Sequence, residues 1–419
     1  MITPQTLKGF RDFLPRDAIK RQKVIEKIRK VFELFGFDPL ETPALEYADV
    51  LLGKYGEEAD KLIYRFKDRG GREVGLRYDL TVPLARIIAS YPILPMPFKR
   101  YQIQPVWRAD KPQTGRFREF LQCDADIVGT TSPLADAEMI LVAVESLQKL
   151  GFKKFKILIN DRELFSVLKI TSKFDAEAFA IIRIIDKLEK IGIEGVINEL
   201  VIKGFSKKEA TEILNKIKNQ RLTKKLLQIF SYLEKSGIPD SYYDFSPTLA
   251  RGLDYYTSTI FEIKIDGYMA GSVGGGGRYD KLIGKFIGQD LPAVGFSFGI
   301  DRLIEAMEQQ GLFIDLPSTS VAVLVTIFSP EYLLQSIKVT NLIRQNGINC
   351  ELFLDAGKKL DKQLKYADKK GIPFVAIIGP DEAKNGTVTL KNLQEKKQET
   401  VPLDELVKLL RLALSGVEG

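Results

Sequence analysis

The chain has 419 residues, enough for two or three domains with cores of their own, and 62 lysines and arginines against 55 acids leave a formal charge of +7 that suits a polyanionic partner such as RNA. It contains no histidine, which excludes a Ser-His-Asp triad, a Cys-His pair and an HExxH zinc helix. Two distant cysteines, Cys123 and Cys350, are too few for a disulfide framework or a structural zinc site and point to a reducing cytoplasm. Catalysis must therefore rest on arginines, carboxylates and the substrates. Any metal is expected to be magnesium, held by carboxylates and substrate phosphates. No apolar run approaches the ~20 residues of a membrane span, and MITPQTLKGFRDFLP has no apolar signal-peptide core, so neither a membrane segment nor a leader is expected.

Residues 18–35 place Val24, Ile25, Ile28, Val31, Phe32 and Phe35 at helical spacing, with Gly36 as the C-cap. FDPLETPALE then reads as an extended segment broken by prolines. KLIYRFKD and EVGLRY flank Arg69-Gly70-Gly71, a hairpin signal, and a short helix from about Pro83 to Ala89 follows. MPFKRYQIQPVWRAD and FREFLQCDADIVG read as two strands joined by the polar loop KPQTG. The expected fold class is α+β, built on an antiparallel sheet. From about 161 to 240 amphipathic, lysine-rich segments predict a helical insertion. The sheet pattern returns at 251–265 and runs through GSVGGGGRYD, and AVGFSFGIDRLIEAM reads as a small-residue strand entering a helix. After Pro317, VAVLVTIF, INCELFLD and PFVAIIGP alternate with helical segments as βαβαβ, followed by a last helix at about 403–414, which predicts a separate α/β unit with a largely parallel sheet. The expected domains are 1–319 and 320–419.

Three polar clusters lie on these predicted strands or at their ends. LRYDLTVPLAR carries Arg77, Asp79 and Thr81 at alternate positions of a strand reading. VWRADKPQTGRFREFLQCDAD carries Arg108, Arg116, Arg118, Gln122 and Asp126, and RGLDYYTSTIFEI opens with Arg251 and pairs Tyr255 with Tyr256. Each alone reads first as a solvated strand face with cross-strand ion pairs. Together they would make a costly core unless they line a pocket holding a charged ligand. Arginines suit phosphate and carboxylate, whereas Asp79 and Asp126 suit an ammonium or a ring N–H, so a zwitterion plus a nucleotide triphosphate fits both sets. The glycine run matches neither a Rossmann turn nor a P-loop and reads as a close approach of backbone to ligand, or as a sharp turn. Arg302, near a helix start, opposes the helix dipole and so implies an anion or a π-face within reach.

These residues resemble the histidyl-tRNA synthetase family of class II aminoacyl-tRNA synthetases over nearly the whole chain. The helix to Gly36 with LETPALE resembles the dimer-forming first class motif, VWRADKPQTGRFREF the second and VGFSFGIDRL the third; LRYDLT and RGLDYYTSTIFE are the family-specific signatures. The resemblance implies a catalytic domain over 1–319 and an anticodon-binding domain over 320–419, with the insertion touching the tRNA acceptor arm. It implies a cytoplasmic homodimer, without a membrane association, that activates L-histidine with ATP and loads tRNA(His), with Mg2+ accompanying the ATP phosphates. Asp79, Thr81 and Gln122 would hold the α-ammonium of histidine beside Leu80, and Asp126, Tyr255 and Tyr256 would read the imidazole. Arg108 would grip the α-phosphate and the amino-acid carboxylate, Arg116 a terminal phosphate, and Phe120 and Arg302 would sandwich the adenine. Arg251 would face the reacting carboxylate and phosphate. Asp110 replaces the usual glutamate of the second motif near adenine or the tRNA end, and the loop residue Gln113 would face tRNA. The rival expectation is a non-catalytic relative, the histidine-sensing regulatory subunit of ATP phosphoribosyltransferase.

Overall fold

The computed structural model describes residues 2–52, 62–111, 117–165, 175–251, 255–313 and 316–415. Two compact units emerge, one of residues 1–12 and 24–312 and one of residues 13–23 and 313–419. In chain order the strands of the first unit are β1 (Asp38–Pro39), β2 (Leu45–Tyr47), β3 (Tyr64–Lys67), β4 (Glu73–Leu76), β5 (Phe98–Trp107), β6 (Glu119–Val128), β7 (Phe155–Asp161), β8 (Tyr243–Phe245), β9 (Thr259–Ile265), β10 (Gly274–Arg278) and β11 (Ala293–Gly299). Eight of them form the main sheet in the order β1-β5-β6-β11-β10-β9-β7-β8, antiparallel except at its two edges, and β2-β4-β3 form a small antiparallel sheet.

Alternation decides what each face of the main sheet does. On β6, Gln122, Asp124 and Asp126 point one way and Cys123, Ala125 and Ile127 the other. The apolar side is continued by Phe296 and Phe298 of β11 and by Phe261 and Ile263 of β9, all buried. The helix Pro15–Leu34 covers it. Val24, Ile28, Val31 and Phe32 are buried at helical spacing, and the Phe32 ring meets Phe296 edge-on at 6.0 Å. Gly36, at φ 74, ends this helix with the left-handed residue that lets Phe37 N return to Phe32 O at 3.0 Å, as the sequence led us to expect. The helix Pro133–Leu150 lies against β6 and β11.

Between β7 and β8 the helices Asp175–Ile185, Leu188–Ile202 and Lys207–Lys218 share a core of their own that includes Ile181, Val196, Leu200 and Ile213. The next helix, Lys224–Lys235, packs instead on Pro133–Leu150. In the second unit β12 (Val323–Val325), β13 (Cys350–Leu352) and β14 (Phe374–Ile377) are parallel neighbours, as the βαβαβ pattern predicts. The sheet continues, however, into an antiparallel hairpin, β15 (Thr387–Asn392) and β16 (Lys397–Pro402), giving the order β13-β12-β14-β15-β16. The sheet is therefore mixed. The hairpin escapes detection because β16 is almost wholly exposed and carries no apolar alternation.

Two other expectations are corrected. LRYDLT is not a strand beyond Leu76: the chain turns at Tyr78–Leu80 and starts a helix, Thr81–Ser90, so Arg77, Asp79 and Thr81 do not share a strand face. Arg77 is buried, its guanidinium donating to the carbonyls of Thr42, Pro43 and Pro105 and to Gln104 Oε1. The glycine run does not turn sharply: the sheet pattern does continue through it, and Gly274–Arg278 is a central strand, β10.

β10 ends in a buried ion pair between Arg278 and Asp136 of the Pro133–Leu150 helix, with further bonds from Arg278 to the carbonyls of Thr130 and Ser132. Removing one member of such a pair strands the other charge without solvent. Asp136→Ala is expected to cost the first unit about 3–5 kcal/mol, read from its urea unfolding transition.

Candidate active site

Three register rows cross the polar face of the sheet: Arg100–Asp126–Gly295–Gly277, Gln102–Asp124–Ser297–Gly275 and Gln104–Gln122–Gly299. Residues in one row stand side by side on one face. Arg100 is fully buried; its Nη2 lies 2.7 Å from Asp126 Oδ2 and also donates to Leu80 O at 3.3 Å, and Nη1 donates to Gln102 Oε1 at 3.1 Å. The Tyr279 hydroxyl donates to the other oxygen of Asp126. Gln122 Nε2 donates to Ser297 Oγ at 3.0 Å.

Around this floor stand side chains from less regular segments. Asp79 Oδ1 accepts from Val82 N at 3.0 Å, at the start of the Thr81–Ser90 helix. Arg108 Nε donates to Tyr78 O at 3.1 Å, and its guanidinium carbon is 5.0 Å from the centre of the Phe120 ring. Tyr255 and Tyr256 pack at 4.7 Å, and Tyr255 meets the Tyr279 ring edge-on at 6.0 Å. Arg251 Nη1 donates to Phe261 O at 3.1 Å, with its guanidinium carbon 5.6 Å from the Tyr256 ring centre.

The glycines make this arrangement fit. A Cβ on Gly275 would overlap the Arg251 guanidinium, one on Gly295 would collide with the Asp126 carboxylate, and one on Gly277 would stand 2.9 Å from the Tyr256 ring. What lies against the bare backbone is the chain's own side chains, where the sequence suggested a ligand.

Burial pushes the Asp79, Asp124 and Asp126 carboxyls above the ordinary range. The Val82 amide and then Arg108 and Arg100 oppose the rise at Asp79; Arg100 opposes it at the other two, and the charge of Asp126 adds to it at Asp124. Among the described residues, Asp126 Oδ2 and Gln122 Oε1 are buried acceptors with no hydrogen-bond partner, the approach of Arg100 to Asp126 being an ion pair off the hydrogen-bonding line. Unmet acceptors beside three acids attract a ligand rich in N–H donors, and Arg108 and Arg251 offer cations to anionic groups.

Sequence comparison agrees in kind. The profile described as histidyl-tRNA synthetase matches residues 9–303, and that described as an anticodon binding domain matches residues 322–412. The chain is 42% identical to the histidine–tRNA ligase of Aeropyrum pernix, with 98% of each covered, and 41% identical to that of Cytophaga hutchinsonii, with 98% of this chain and 100% of the relative covered. The chain belongs to the histidyl-tRNA synthetase family. The crystal structure of histidyl-tRNA synthetase from Nostoc sp. PCC 7120 superimposes with a TM-score of 0.86 at 33% identity, covering 99% of this chain and 100% of that one. The class II fold with its antiparallel sheet follows from that membership.

Of the residues expected from the family signatures, Asp79, Leu80, Thr81, Arg108, Gln122, Asp126, Arg251, Tyr255 and Tyr256 gather on or beside the polar face. The tyrosines precede β9 instead of lying on it. Phe120 joins them through Arg108. Arg302 is anchored farther along, Nη1 donating to Ser272 O at 2.8 Å, and Asp110 is exposed, its carbonyl accepting from Arg118 Nε at 3.0 Å. Arg116, Gln113 and residues 252–254 lie outside the described residues. Sequence reading missed Arg100, Asp124, Ser297 and Tyr279. Their signals were the polar alternation Arg100–Gln102–Gln104 in a strand and the aromatic that closes the glycine run.

A carboxyl raised on folding weakens the protein once it must ionise. Its cost is absent below the unfolded value and grows as pH rises toward the folded value. Asp124→Asn is therefore expected to raise the melting temperature of the ligand-free protein more at pH 8 than at pH 4.5, measured against the parent at both.

Proposed function

We propose that this chain is a histidine–tRNA ligase that forms histidyl-adenylate from L-histidine and ATP and passes the histidyl group to the 3′ end of tRNA(His). The observation that carries the reading is one pocket that gathers three acids, the unmet acceptors Asp126 Oδ2 and Gln122 Oε1, a tyrosine pair and the guanidinium groups of Arg108 and Arg251. Asp79, Thr81 and Gln122 hold the α-ammonium, with Leu80 lining the site; Asp126, Tyr255 and Tyr256 read the imidazole. Arg108 grips the carboxylate and the α-phosphate, Arg116 a terminal phosphate, and Phe120 and Arg302 enclose adenine, with Asp110 near it. Gln113 faces tRNA, and residues 320–419 read the anticodon. The carboxylate oxygen attacks the α-phosphorus and pyrophosphate leaves. The terminal adenosine hydroxyl then attacks the activated carbonyl, AMP departs, and a phosphate oxygen takes the hydroxyl proton, so no imidazole is needed. Arg251 stabilises charge growing at the α-phosphorus.

Mg2+ accompanies the ATP phosphates. Among the described residues no cluster of three or more acids or thiols offers it a cage of its own. We assign the enzyme to the cytoplasm as a homodimer. The two free cysteines are consistent with a reducing compartment, and no described helix is long and apolar enough to cross a membrane. A non-catalytic histidine sensor would need neither the C-terminal unit nor Arg108, Arg251 and Arg302, all of which this chain has.

Two variants test the assignment in pyrophosphate–ATP exchange. A pocket that hydrogen-bonds a polar ring discriminates by roughly 10⁴-fold or more, so Asp126→Ala should raise the histidine requirement far more than the ATP requirement. Equal shifts would count against it. Losing one transition-state contact of the Arg251 kind costs ~10²–10³ in rate. Arg251→Ala should slow single-turnover adenylate formation on that order with little change in histidine affinity, and Arg251→Lys should recover only part, because an ammonium lacks the planar fork. A folded Arg251→Ala protein, checked by thermal melting, that forms adenylate at the parent rate rules the role out.

A further inference from the structure

Tyr255 and Tyr256 precede β9, so their placement depends on whatever fixes the backbone from 255 to 258. From one side Thr257 N donates to Arg278 O at 2.8 Å, and Thr257 Oγ1 to Asp280 Oδ2 at 3.0 Å. From the other, Arg162 Nη1 donates to Tyr256 O at 2.9 Å, and Arg162 N to Ser258 O at 3.0 Å.

Ser258, 2% exposed, is the centre of a polar knot. Its hydroxyl lies 3.2 Å from Asp161 Oδ1 and 2.7 Å from Lys225 Nζ. Having a single proton, it donates to the carboxylate and accepts from the ammonium. Asp161 is fully buried; its Oδ1 also accepts from Glu163 N at 3.0 Å, and its Oδ2 accepts from Thr223 Oγ1 at 3.0 Å. Thr223 caps the Lys224–Lys235 helix, its Oγ1 accepting from Leu226 N at 3.2 Å.

The partners come from the two ends of one stretch of chain. Asp161 and Arg162 stand where the chain leaves the sheet for the helical insertion, and Thr223 and Lys225 stand where it returns. The core of the insertion's helices also takes in Ala250, the residue before Arg251. The segment that carries Arg251 and the tyrosine pair is thus fastened at both ends to the base of the insertion, by apolar contact at 250 and by the knot at 258.

We propose that Asp161, acting with Lys225 through Ser258, is a positioning residue for histidine recognition: it ties both stems of the insertion to the backbone that sets Tyr255 and Tyr256 against the imidazole. Neither residue touches substrate. The inference rests on the reading of the tyrosines given above.

The test is pyrophosphate exchange by the full-length protein, titrating histidine at saturating ATP and ATP at saturating histidine. Asp161→Asn keeps the shape but removes the charge opposite Lys225, and Lys225→Met removes the ammonium while keeping the apolar stem. Loss of a charged hydrogen bond in a buried cluster should raise the histidine KM about 10-fold, with the ATP KM within about twofold of the parent. The double variant should be no worse than Asp161→Asn, because both cut the same tie. A lower melting temperature with an unchanged histidine KM, or equal rises in both KM values, overturns the proposal. If Asp161→Asn does not fold, Lys225→Met alone decides by the same criteria. Asp126→Asn is the reference. If it raises the histidine KM and the two positioning variants do not, this inference fails alone; if it does not, the pocket reading fails with it.

Discussion

The polar face of the main sheet depends on one buried guanidinium. Arg100 has no access to solvent, and its charge acts on Asp79, Asp124 and Asp126. Three carboxyls in a dry interior would be untenable without it, since each uncompensated ion costs several kcal/mol. Arg108 adds to it at Asp79, yet burial still leaves all three carboxyls raised. The pocket thus keeps raised carboxyls beside two unmet acceptors, Asp126 Oδ2 and Gln122 Oε1. Under the proposed reaction the ammonium and ring N–H of histidine meet these groups, so part of its affinity is stored when the protein folds.

The second constraint is space above the sheet. Arginine and tyrosine side chains normally stand off a strand, yet Arg251 and Tyr256 lie across β10, over positions where any Cβ would intrude. Four consecutive glycines weaken a strand through their entropy. Here β10 is held between β9 and β11 and anchored at its end by Arg278 and Asp136, so the weakness is confined. The conformational freedom usually invoked for glycine is unused at Gly274–Gly277, which are extended. Their missing side chains are what the site needs.

That distinction marks the limit of what the sequence could convey. The amphipathic helix to Gly36, the hairpin around Gly71, the paired strands β5 and β6 and the three parallel strands of the second unit were legible because each combines a strong period with turn or cap chemistry. The sheet pattern could be followed through Gly274–Arg278, but its central place could not, because a row of glycines has no hydrophobic period and its partners are remote in sequence. Asp79 and Thr81 were grouped for a partly wrong reason. They share a pocket because a helix begins at Thr81 under an Asp79 cap, where a strand had been inferred. Arg100 and Tyr279 stayed hidden because neither a charge on a strand nor an aromatic just past one says which neighbouring strand lies beside it.

The missing imidazole fits this division of charge. In adenylate formation the nucleophile is a carboxylate, already ionised near neutral pH, and the leaving group is a polyphosphate; the demand is for cations, not for a base. In the transfer step, under the same proposal, a phosphate oxygen of the adenylate takes the proton of the hydroxyl. Under the proposed reaction the acids hold and select one end of the amino acid while the arginines act on the other. A protein base placed between them would be a further charge to bury in a pocket whose balance is already set by Arg100.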